Sequence, residues 1–169
     1  MHKFLVDINY ICLHTDNSVF MNSNLIIALY IDDILICRSE KKIINELNTR
    51  LSTQFNMMDC GSCKHYLEMQ IMRDRTLRTL TLSQKIYLKR VLKDFDFLKT
   101  KAVTTSMKPG TYHIKTKNIA TSQLIQQYQS NIDSLMYIMT QTHPNIIYTM
   151  LTLSQHSHNS DETHWKALK

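Results

Sequence analysis

Asp32 and Asp33 stand side by side in Leu25–Arg38, LIIALYIDDILICR, the most apolar stretch of the chain. Ionised carboxylates are expelled from buried strands unless something compensates them, so this pair needs a route to solvent. Two short Ile/Leu-rich strands joined by a tight turn at Ile31–Asp33 supply one. Aspartate is a good turn former, and a turn lifts both carboxylates clear of strands that stay buried. Adjacent oxygen donors displayed this way suit a hard divalent cation such as Mg²⁺, the platform on which two-metal phosphoryl transfer is built. An ordinary hairpin with an acidic turn satisfies the same periodicity.

Other candidate chemistry is thinner. Cys60-Gly-Ser-Cys63, followed by His65, has redox or zinc spacing, but no second C-x-x-C follows, and His156, His158 and His164 lie far off in a polar stretch. Free thiols in a reducing compartment are the simpler reading of Cys12, Cys37, Cys60 and Cys63. Two glycines, Gly61 and Gly110, exclude a Walker A loop and a G-x-G-x-x-G loop. A net charge of +6 over 169 residues favours a polyanionic partner such as nucleic acid. No apolar run approaches the roughly 20 residues that span a bilayer, and MHKFLVDINYICLH, interrupted by Asp7, makes a poor signal peptide.

The elements that must position the aspartates follow in order. SEKKIINELNTRLSTQF carries Ile43, Ile44, Leu47, Leu51 and Phe55 at helical spacing, with Ser39 as N-cap, and predicts an amphipathic helix covering a sheet. HYLEMQIMRDRTLRTLTLSQ alternates and predicts a second hairpin, Leu67, Met69 and Ile71 on one face and Glu68, Gln70 and Met72 on the other, with a charged tip. Ser83 then caps a helix whose apolar stripe is Leu88, Val91, Leu92, Phe95 and Leu98. From Lys99 to about Gln127 the pattern is lost in a polar linker. NIDSLMYIMTQ, PNIIYTMLTLSQ (with Pro144 in its first turn) and DETHWKALK read as helices. Met57, Met58, Met69, Met72, Met136 and Met139 read as core filler, and Trp165 as a helix anchor.

The residues flanking the pair narrow the choice. Tyr30-Ile31-Asp32-Asp33 resembles the Y-x-D-D palm motif of reverse transcriptases. The likeness continues over nearly the whole chain, and most closely resembles the copia-type LTR retrotransposon reverse transcriptase, the RNA-dependent DNA polymerase domain of a pol polyprotein. NYICLHTDNSVF is similar to that family's G-F…D-x-S/C-V-F stretch. RDRTLRTLTLSQKIYLKRVLKDF resembles its hairpin and thumb helix. DSLMYIMTQTHPNIIYTMLTLSQ and HWKALK resemble its G-S-L-M-Y-L…T-R-P-D-I…L-S and H-W-x-A-x-K segments, in the same order.

The resemblance implies an α+β fold: a partial palm over residues 1–75, with its hairpin and covering helix, a thumb hairpin arm and helix over 76–100, a linker over 101–127, and a helical connection segment over 128–169. It implies a catalytic, metal-holding pair in Asp32 and Asp33, with Mg²⁺ or Mn²⁺ as cofactor, and nucleic-acid contacts from Tyr30 and from Lys85, Lys89 and Lys93, which recur every four residues opposite the apolar stripe. Template–primer and deoxynucleotides would be the partners, in an intracellular setting, with upstream palm and fingers and downstream ribonuclease H segments of a polyprotein. The family's third carboxylate is expected upstream of this chain; Asp7 lies too close to the motif to serve. Glu68 stands where Y-L-G is the family pattern, Asp133 replaces the glycine of G-S-L-M-Y, and His143 and Asn145 replace the charges of T-R-P-D. A side chain at a former glycine is expected to clash or to force an unfavourable φ. These departures keep a second reading open, a non-catalytic basic nucleic-acid-binding module or a degenerate transposon relic.

Overall fold

The computed structural model describes residues 1–23, 25–98, 100, 105–107 and 120–168. It is a mixed α+β structure with two antiparallel sheets and six α-helices among the described residues. The chain divides into two compact units, Met1–Tyr66 and Leu67–Lys169.

The first unit opens with α1 (His2–Asp7), then β1 (Ile11–Leu13), β2 (Asp16–Asn22), β3 (Leu25–Tyr30) and β4 (Asp33–Cys37), an antiparallel sheet in the order β1-β2-β3-β4. Asp7 therefore ends a helix rather than lying in a strand. The central strand β3 alternates: Leu25 and Ile27 are fully buried while Ile26 and Tyr30 are exposed. Residues directly opposite in a ladder share a face, so the pairs Phe20 with Ile27, Ile27 with Ile36 and Leu29 with Ile34 line the inner side. Helix α2 (Lys41–Gln54) adds Leu47 and Leu51 to one core with Leu5, Phe20, Leu25 and Ile27. Glu40, not Ser39, is the N-cap of α2, and it makes no side-chain cap bond. Met58 is solvent-exposed rather than core. Asp59 ties the following loop down, accepting from Asn48 Nδ2 and from the Gly61 N–H, each at 2.7 Å. The unit closes at β5 (His65–Tyr66).

The second unit starts at a turn. Leu67 and Glu68 both have positive φ (47° and 61°), so they belong to no strand face, and β6 begins at Met69. Glu68 thus takes the strained backbone expected of a side chain at a glycine position, and its carboxylate bridges to Arg90 at 2.8 Å. The Tyr137 hydroxyl donates to the Leu67 carbonyl and pins the other half of the turn. Asp133, by contrast, sits exposed in mid-helix without a left-handed φ, and the expected strain is absent there.

β6 (Met69–Asp74) and β7 (Thr79–Ser83) form the second hairpin, and α3 (Lys85–Asp94) packs on β6. Met72, Leu80 and Leu82 are exposed, so this hairpin is less buried than its alternation suggests. Gln84 is the N-cap position of α3, although Ser83 Oγ still accepts the Lys85 N–H at 3.3 Å. The apolar stripe of α3 ends on buried Phe97 rather than Leu98, which is exposed.

Residues 101–104 and 108–119 of the expected linker lie outside the described residues. Helix α4 (Ser122–Gln141) begins inside that expected span, capped by Thr121, whose side chain accepts from the Leu124 N–H. A single 3-10 turn at Pro144–Ile146 leads into α5 (Ile147–Ser154), and α6 (Glu162–Leu168) follows. Tyr128, Ile132, Met139, Met150, Leu153 and Leu168 make the core of these helices, with Trp165 edge-on to Tyr128 at 5.3 Å as an anchor. The Tyr128 hydroxyl donates to the Leu153 carbonyl at 3.1 Å, and burial pushes its pKa up to about 12. His156 and His164 are buried with ring centroids 4.0 Å apart, although their segment reads as polar.

Candidate active site at the turn between β3 and β4

Tyr30 and Asp33 face each other as the last pair of the β3–β4 ladder, leaving Ile31 and Asp32 as a two-residue loop. A positive φ at the first loop residue suits the right-handed twist of the flanking strands, which is why such positions favour glycine. Here Ile31 occupies it, at φ 50° and 88% exposed. The turn is built by its strands: inner-face packing of Ile27, Leu29, Ile34 and Ile36 fixes the register, and the register delivers both aspartates to solvent.

Tyr30 and Asp33, as a cross-strand pair, share the sheet face turned away from α2, as does Cys37 further along β4. The structure adds neighbours that the sequence reading missed. Burial raises the Cys63 thiol pKa, and the nearby Cys37 and Asp33 raise it further. Burial likewise raises the Tyr66 hydroxyl, helped by the negative charge of Asp33. Cys63 and Tyr66 therefore each lie within electrostatic reach of both Asp33 and Cys37. Period-two alternation from Asp33 reaches Cys37, and so could have found it; nothing in the spacing points to Cys63 or Tyr66. All four cysteines are free thiols.

Two exposed, adjacent carboxylates have the right donor chemistry for a hard cation, which commonly takes one or two protein carboxylates and completes its shell with water and substrate phosphate. They fit one such ion. Among the described residues no three His, Cys, Asp or Glu side chains gather into a metal-holding group, so a closed protein cage is not built here. Lys85, Lys89 and Lys93 are all exposed along α3, in the second unit.

Residues 1–109 match the family described as reverse transcriptase (RNA-dependent DNA polymerase). The retrovirus-related Pol polyprotein from transposon TNT 1-94 of Nicotiana tabacum is 33% identical over 99% of this chain and 13% of its own length. The corresponding polyprotein from transposon RE1 of Arabidopsis thaliana is 29% identical over 100% of this chain and 12% of its own. An uncharacterized mitochondrial protein of Arabidopsis thaliana is 28% identical over 85% of this chain and 58% of its own length. No solved structure gives a significant match. No helix among the described residues is long and apolar enough to cross a membrane. The chain spans about an eighth of the Pol polyproteins it matches, and it belongs to the reverse transcriptase (RNA-dependent DNA polymerase) family, in its copia-type retrotransposon branch.

Proposed function

We propose that this chain carries the metal-holding turn of an RNA-directed DNA polymerase and does not extend a primer by itself. One observation supports the reading above the rest: Tyr30-Ile31-Asp32-Asp33 occupies a solvent-facing hairpin turn inside the stretch that matches the family. Asp32 and Asp33 would hold Mg²⁺ or Mn²⁺ together with a nucleotide's phosphates, the ion supplying charge neutralisation for phosphoryl transfer. Tyr30, exposed beside Asp33, would offer its ring to the template–primer. On this reading the first unit belongs to the palm, the β6–β7 hairpin and α3 to the thumb, and α4–α6 to the connection segment. Two carboxylates without a third partner among the described residues supply too few ligands for a two-ion centre, which is the physical reason for inactivity of the isolated chain.

The test has two arms. Titrating Mn²⁺ into the isotopically labelled chain should broaden amide resonances at Tyr30–Ile34, and Asp32→Asn with Asp33→Asn should abolish the effect. Incubated with primed RNA template, Mg²⁺ and deoxynucleotides, the chain should add no nucleotide. Absence of selective broadening overturns the metal assignment; extension that disappears in Asp32→Asn overturns the inactivity and keeps the site.

A further inference from the structure

All four cysteines belong to the first unit, and three of them, Cys37, Cys60 and Cys63, are exposed thiols. Cys60-Gly-Ser-Cys63 has the spacing of a dithiol, yet its two sulfurs are engaged in opposite directions along the chain. Cys60 Sγ lies 3.8 Å from the Met58 carbonyl oxygen, and Cys63 Sγ lies 3.5 Å from that of His65. Between them Gly61 takes a left-handed φ of 73°, its N–H held by Asp59. The local bonds of this loop do not draw the two thiols together.

Cys63 has a different neighbour in the fold. Asp33, Leu35 and Cys37 alternate onto the sheet face turned away from α2, where Cys37 stands opposite Ile26 and Leu35 opposite Ala28. Asp33 and Cys37, at the two ends of β4, both act electrostatically on Cys63 and on Tyr66. The segment carrying Cys63 and Tyr66 is therefore laid alongside that face of β4, at the edge of the sheet. Leu35, midway between Asp33 and Cys37, is half-buried rather than exposed, as a strand residue with a neighbouring segment beside it should be. One thiol thus sits on a strand and the other on a loop, Phe55–Lys64, that holds no helix or strand. A disulfide needs Cα atoms within about 7 Å, a separation to which such a loop can adjust without breaking either flanking element.

We infer that Cys37 and Cys63 form a reversible disulfide that ties the edge strand β4 to the loop after α2, a modification site for a small disulfide oxidant such as oxidised glutathione. Transient, redox-sensing bonds are the usual form of a disulfide in a reducing compartment. The exchange balances in two steps. The Cys37 thiolate attacks one sulfur of oxidised glutathione, forming a mixed disulfide and expelling one glutathione thiolate. The Cys63 thiolate then attacks the Cys37 sulfur, forming the internal bond and expelling the second. Two electrons pass from the protein dithiol to the oxidant, and the two thiol protons end on the two glutathiones.

The experiment equilibrates the full chain in a glutathione redox buffer at neutral pH, without metal or nucleic acid. Acid quenches the exchange, the remaining thiols are blocked, and cross-links are mapped by mass spectrometry. In the wild type the internal bond should map to Cys37 and Cys63. A protein carrying Cys12→Ser and Cys60→Ser, which keeps only that pair, should lose two hydrogens with no glutathione attached. Its oxidation constant should exceed that of the same protein in urea about tenfold or more, a difference of about 30 mV, because the fold holds the two thiols near each other. A protein carrying Cys12→Ser and Cys37→Ser, which keeps only Cys60 and Cys63, should show no such gain on folding. A wild-type bond mapping to Cys60 and Cys63, glutathione adducts alone on Cys37, or an oxidation constant for Cys37 and Cys63 no higher folded than in urea each overturns the pair.

Discussion

Ile31 is where the candidate turn is most strained. A β-branched residue in the left-handed region carries a penalty of about 1–2 kcal/mol, and at 88% exposure its side chain gains almost nothing by burial. Replacing it with glycine removes the penalty and returns part of the gain through the extra freedom of the unfolded chain, worth about 0.4–1 kcal/mol. Ile31→Gly should therefore raise stability by about 1 kcal/mol or somewhat less, measured by denaturant unfolding. A loss of stability would mean that the turn does not hold Ile31 at positive φ. Glu68 meets a similar demand in another way. Its φ of 61° is accompanied by the bridge to Arg90, which also lies over the Tyr87 ring at 5.1 Å, while Tyr87 stands edge-on to Tyr137. The strained turn is thus tied to two helices of its own unit.

Among the elements, α6 has the most legible electrostatics. Asp161 accepts from the Thr163 hydroxyl at 2.6 Å and from the backbone N–H groups of Thr163 and His164, and its carboxylate lies 2.7 Å from His164 Nδ1. The hydroxyl bond is the main cause that draws its pKa down from 3.8 to about 2. A carboxylate depressed on folding contributes stability that is complete above its unfolded value and lost as pH falls through its folded one. Acidification from about pH 4 to pH 2 should loosen α6, and Trp165, the single tryptophan of the chain, reports it by fluorescence. Asp161→Asn keeps a cap of similar quality and removes the titration, so its fluorescence should change less across that window. An identical acid transition in both proteins would remove Asp161 as its source. The elements also show what can be read from residue order. The β3–β4 hairpin, α2 and the helices from Asn131 onward follow from period-two and helical spacing of large apolar residues, signals that survive because those faces are buried, whereas the first turns of α4, from Ser122, read as linker. The N-cap positions fall one residue past Ser39 and Ser83, at Glu40 and Gln84, whose side chains make no cap bond, so no capping preference marks the first residue of either helix. β1, β2 and α1 carry mixed patterns and leave no such signal. The positive φ values at Ile31, Leu67 and Glu68 contradict local preference and are imposed by strand register and tertiary bonds.

At the scale of the whole molecule, β4 is the outermost strand of its sheet. Among the described residues no further strand pairs with its outer edge, and Ile34, Leu35 and Ile36 are only half-buried. Such an edge invites another chain to add a strand unless charges discourage the approach. Asp33 and Arg38 flank those three residues, one at the head of β4 and one immediately past its end. The carboxylate proposed to hold metal would therefore also serve as a solubility guard, and its removal should have a colloidal consequence independent of any reaction. Asp33→Asn should self-associate at lower protein concentration than the wild type, by light scattering, whereas Asp32→Asn, in the loop rather than in the strand, should scatter like the wild type. Equal scattering from Asp33→Asn and the wild type would show that β4 needs no charged guard.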